Sequence, residues 1–134
     1  MSVNIDQQEM YVWLACEDGY HKFAGHIIEI DGIKFSIVMY PKENRGFEMR
    51  FSDLASGAKF FAVPLATFEM LMCDSKEKTY AMFEKASQIV SDAILRIGKE
   101  RIISMSKEQT EKNKSKFGEM PEMEICNFPQ EEAE

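Results

Sequence analysis

Two histidines, His21 and His26, and three cysteines, Cys16, Cys73 and Cys126, are the side chains from which nucleophilic, general-base or metal chemistry would have to be built. Imidazole titrates near neutral pH and a thiolate is a strong nucleophile, so Cys16, His26 and Asp31 can be drawn as nucleophile, base and orienting acid. Spacing weakens that drawing. The histidines are five residues apart, which on one strand places them on opposite faces unless a bulge at Gly25 intervenes. The cysteines are odd in number and scattered, with no Cys-x-x-Cys or Cys/His spacing to hold zinc and no disulfide framework. Glu17-Asp18 sits in a turn sequence, where paired carboxylates are ordinarily solvated. The seven glycines are isolated, so neither a P-loop nor a Gly-x-Gly-x-x-Gly turn is available to cradle phosphates. We expect no catalytic residue, no metal and no cofactor, and hence a protein that is not an enzyme.

A second pattern is recurrent. Bases stand next to aromatics in Lys34-Phe35, Arg45-Gly46-Phe47, Arg50-Phe51 and Lys59-Phe60-Phe61. Along strands such neighbours point to opposite sides, so one set of aromatics enters the core while bases line an open face. Stacking on aromatics beside phosphate-tracking bases is how single strands are held. Lys34, Arg45, Phe47, Arg50, Lys59 and Phe61 are therefore the candidate macromolecule-binding residues of the body. In the tail, Glu119, Glu122 and Glu124 supply charge. Met120, Met123, Ile125 and Phe128 supply apolar anchors of the kind that dock on a partner.

The elements that would position these residues are legible to different degrees. Met10–Cys16 reads as a first strand ending at Glu17-Asp18-Gly19. His21–Ile30 and Ile33–Tyr40 flank Asp31-Gly32, a dipeptide suited to a type I′ turn. That turn predicts the register Ile30 opposite Ile33, Ile28 opposite Phe35, His26 opposite Ile37 and Ala24 opposite Met39, with Glu29 opposite Lys34 on the other face. Phe47–Leu54 alternates as a further strand, Lys59–Val63 returns, and residues 64–72 fit either a short helix, the favoured reading, or a further strand. Asp74-Ser75-Lys76-Glu77 fits a capping box with Asp74 as the cap. From there an apolar stripe through Tyr80, Phe83, Ala86, Val90, Ala93, Ile94 and Ile97 predicts a long helix stopping at Gly98. Ile102, Ile103 and Met105 fit either a last strand or more helix, and residues 107–116, wholly polar, read as a solvated helix or a linker. The expected fold is α+β: a meander of four or five antiparallel strands against one long C-terminal helix, in two layers, with residues 1–105 as the domain and 106–134 as a polar linker and acidic, flexible tail.

The net charge of −7 divides unevenly at Gly118. Residues 1–118 hold 17 acids and all 16 bases, whereas residues 119–134 hold six acids and no base. The acidity belongs to the tail, so the body is not excluded from phosphate-bearing partners. No secretory signal and no apolar run long enough to span a bilayer is read, which predicts a cytoplasmic protein that does not engage membrane. The expected function is that of a small interaction protein acting through protein–protein contacts, an adaptor or inhibitor of a kind common among phage and mobile-element proteins. The alternative is a single-stranded nucleic-acid-binding module with a competing acidic tail. For that alternative the element order resembles single-strand-binding modules of the coactivator and Whirly type in topology, without a motif matched residue by residue. Open sheet edges also make a homodimer an expectation to test.

Overall fold

The computed structural model describes residues 2–42, 46–65 and 75–126. Among these, seven antiparallel strands form one connected sheet with two helices. The strands are β1 Val3–Ile5, β2 Met10–Cys16, β3 Gly19–Ile30, β4 Ile33–Pro41, β5 Phe47–Asp53, β6 Lys59–Leu65 and β7 Glu124–Ile125. The helices are α1 Lys76–Ile97 and α2 Lys99–Phe117. The α+β class and the meander stand. The single long helix does not, because the chain breaks at Gly98 (φ 101) and resumes as a second helix. The suggested helix at 64–72 begins inside β6 at Pro64 and Leu65 and otherwise lies outside the described residues. The cap of α1 is Ser75 rather than Asp74: its Oγ accepts from Lys78 N at 3.2 Å. Ser75→Ala should cost about 1 kcal/mol in urea unfolding.

The Asp31-Gly32 turn forms with both residues at positive φ (52 and 86) and fixes the hairpin in the expected register from Ile30↔Ile33 to His26↔Ile37. It is also a tie point. Asp31 accepts from Ser2 N at 2.9 Å and from Ser91 Oγ of α1 at 2.6 Å. These two donors hold its carboxyl below the usual range. A depressed folded-state value means that the stabilisation is present above the unfolded value near 4 and is lost as pH falls through the folded one. Asp31→Asn should thus cost roughly 1 to 3 kcal/mol at pH 7, and urea titrations should show the gap to the native chain closing toward pH 3.

The expected pair Ala24↔Met39 does not form, because β3 leaves β4 after His26↔Ile37. Its first half, Gly19–Gly25, pairs with β2 instead. Gly25 is the bend: a Cβ there would lie 2.4 Å from Ile37 O. The β2–β3 arm then folds across the sheet's outer face. Ala15 N reaches Gly57 O at 2.9 Å, and the Phe23 and Tyr40 rings meet at 5.2 Å. Two cores result. The inner one sets Ile28, Ile30, Phe35, Ile37, Met49 and Phe51 against Phe83, Val90 and Ile94 of α1 and Ile102 of α2. The outer one joins Val12 and Leu14 to Val38. The outer face is therefore partly roofed, not the open second face of a two-layer domain.

Residues 106–117, expected as a solvated helix or a linker, are the greater part of α2. This helix docks through polar groups. Asp53 Oδ2 accepts from Ser106 Oγ (2.8 Å) and Ser56 Oγ (2.6 Å), and buried Asn113 donates to Ser56 O (2.9 Å). Within the described residues no helix is long and apolar enough to cross a membrane.

Candidate functional site

Strand alternation in β5 sends Phe47, Met49 and Phe51 toward the helices and Glu48, Arg50 and Ser52 toward the outer face. Phe61 pairs with Phe51 and packs on the inner core. Phe47 and Phe61 thus lie on the opposite side of the sheet from Arg50. Arg50 is engaged by its own neighbours: its Nε donates to Glu48 Oε2 at 2.6 Å, and its guanidinium stacks 3.6 Å from the centre of the Tyr40 ring. Lys59 Nζ stands 3.7 Å from the same carboxylate, whose side chain is 8% exposed. Two cations around one buried carboxylate leave an excess positive charge beside the roofed face. Lys34 is exposed, opposite Glu29 at the tip of the β3–β4 hairpin. Arg45 and Phe128 lie outside the described residues. The basic and aromatic candidates are therefore not gathered on one surface.

The histidines do not converge either. His21 Nε2 meets Asp18 Oδ1 at 2.7 Å beside the β2–β3 turn. His26 packs beside the Tyr80 and Phe83 rings of α1, at 5.7 and 5.6 Å, with Nδ1 3.1 Å from Asp6 O. Cys16 pairs with Gly19, seven residues along β3 from His26, a separation of about 23 Å at strand rise. Burial pushes the Cys16 thiol up, with Asp18 adding to the effect. The drawn triad has no geometry. No cluster of three or more metal-ligating side chains occurs among the described residues.

What the fold does assemble is a seat for the acidic segment. After α2 the chain turns at Gly118, whose carbonyl accepts from Tyr20 Oη at 3.2 Å, and runs back along β2. Glu124 and Ile125 form β7 opposite Tyr11 and Met10, and Cys126 N donates to Glu9 O at 3.0 Å. Trp13 Nε1 donates to Glu122 O at 3.2 Å, while Glu119 pairs with Lys114 at 3.4 Å. Met123 packs on the outer core, and Met120 Cε is 3.2 Å from where a Cβ on Gly57 would stand. Glu124–Ile125 thus add a short strand to the body, with residues 119–123 seated beside it; residues 127–134 lie outside the described residues. Beside this segment runs a groove of about 530 Å³, lined by Ile33, Lys34, Leu54, Ile103, Lys107, Met120 and Met123 among others. Trp13 and Tyr40 were not marked by the sequence as site residues. The alternating apolar anchors at 123 and 125 were the visible half of the signal, and their receptor, β2, looked like an ordinary strand.

No family model matches the chain, and neither the curated proteins nor the solved structures contain a significant match to it.

Proposed function

We infer that the chain is a non-enzymatic interaction protein, an adaptor or inhibitor that works through protein–protein contacts. The observation that carries the reading is the seating of residues 119–126 on β2: an extended acidic segment is held by main-chain bonds and apolar side chains, in the manner of strand-addition recognition. Part of that segment's apolar surface remains outward, since Ile125 is 58% exposed. In nuclease-treated native lysate, tagged full-length chain should sediment as a species heavier than the chain alone. Sedimentation at its own mass, with turnover of a small substrate, would replace the reading with an enzymatic one.

A single-strand-binding reading is favoured by one feature, a cleft of about 420 Å³ that includes Lys59, Lys116 and Phe117 in its lining. It is weakened by Glu17 in the same cleft and by the commitment of Arg50 to Glu48 and Tyr40. Anisotropy of a labelled single-stranded oligonucleotide separates the two. Nucleic-acid binding would be strong at low salt and fall steeply as salt rises, whereas the protein-binding reading expects no saturable signal.

A further inference from the structure

We propose that the outer edge of β2 and the groove beside it form a strand-addition site for an extended, acidic, proline-free segment of a partner protein with bulky apolar residues at alternate positions, and that residues 119–126 occupy it as a displaceable stand-in. This rests on the protein-interaction reading and names its surface. The ladder between β2 and β7 has only two residue pairs, Met10↔Ile125 and Tyr11↔Glu124. Continuing that register sets Glu122 opposite Trp13 and Pro121 opposite Leu14. Proline locks φ at about −65°, far from the antiparallel-strand value of about −140°, and the ladder stops short of it. Beyond it, Ala15 N is taken by Gly57 O. Main-chain groups alternate in direction along a strand, so Val12 and Leu14 turn theirs to β3 while Glu9, Tyr11, Trp13 and Ala15 face outward; Trp13 is thus the outward residue without a ladder partner among the described residues, and a strand without the proline can pair with it.

Charge selects the occupant. Lys22 lies over the Tyr11 ring at 4.7 Å, Lys114 pairs with Glu119, and Lys34 and Lys107 line the groove against one carboxylate, Asp53, which is engaged by the Ser56 and Ser106 hydroxyls. Apolar wall is left over for side chains longer than those present: Ile103 lines the groove and is 41% exposed. The stand-in is tethered, so in cis it acts at an effective concentration on the order of millimolar. A partner prevails by making more ladder bonds and filling the groove better.

The test uses the full chain. In a Cys16→Ser, Cys73→Ser background, Glu9→Cys is adjacent to Cys126, so oxidation locks the segment down and reduction frees it. The probe is a fluorescein-labelled peptide of residues 118–126 carrying Pro121→Val and Cys126→Ser. Saturable 1:1 binding to the reduced chain, weakened at least tenfold by oxidation, supports the site. So does a loss of at least tenfold when Met123→Asp and Ile125→Asp are placed in the peptide, a change that leaves the protein's folding untouched. Equal binding to both redox forms, or none up to millimolar peptide, overturns it. Concentration-dependent dimerisation of the reduced chain without peptide binding also overturns it, assigning the edge to a second copy. The titration reads only this edge. Its failure leaves a protein partner elsewhere on the chain possible, whereas failure of the lysate experiment with a successful titration leaves the site intact and its natural occupant absent from that lysate.

Discussion

Gly25→Ala is expected to destabilise the chain by about 3 kcal/mol, the upper part of the range for an overpacked core, read as a lower urea midpoint at unchanged slope. The added Cβ would stand 2.4 Å from Ile37 O and 2.9 Å from Val38 Cγ2. The first is a main-chain atom of β4, so relief requires β3 and β4 to part next to their last pair, His26↔Ile37. The same shift would pull the β2–β3 arm off Val38 and off Gly57. Gly118→Ala is the control. It has open space around a Cβ, but its φ of 85 and ψ of −170 lie in a region essentially reserved for glycine, so the substitution carries backbone strain alone, about 1 to 3 kcal/mol. A native urea midpoint for Gly25→Ala would contradict the role given to the bend.

Arg50→Ala is expected to cost about 3 kcal/mol, because it strands a buried carboxylate. Among the described residues Glu48 would keep only Lys59, half-exposed and 3.7 Å away, as a counter-charge. Lys59→Ala, which removes the solvated partner, should cost less than about 1 kcal/mol. Replacing both members of the pair, Glu48→Met with Arg50→Met, should recover much of the loss, since neither charge is then left unpaired. A double variant as unstable as Arg50→Ala would mean that the stacking of Arg50 on Tyr40, not the ion pair, dominates the cluster.

These two positions mark the limit of sequence reading in this fold. The hairpin register was legible because Asp31-Gly32 fixes the turn and the apolar alternation around it has one consistent solution. α1 was legible because its apolar stripe runs unbroken from Tyr80 to Ile97. The fold-over of β2 was not, since it depends on one glycine whose missing Cβ lets two main chains approach. Nor was the docking of α2. Only Ile102 and Asn113 of that helix are buried, and Ser106 and Asn113 attach it through Asp53 and Ser56. Such contacts leave no apolar period to detect. At the candidate site, Glu119, Glu122 and Glu124 were recognised by charge, but the edge that receives them is defined by pairings between residues more than a hundred positions apart.

The central claim is that this chain works by holding another protein. Affinity capture from nuclease-treated native lysate, with the full-length chain as bait and bound proteins quantified against it, tests this most directly. The expected result is a specific protein retained in near-stoichiometric amount by the reduced chain, and depleted when the Glu9→Cys lock to Cys126 is closed. A bait that retains no protein in either state, yet binds single-stranded oligonucleotide at low salt or turns over a small substrate, would contradict it.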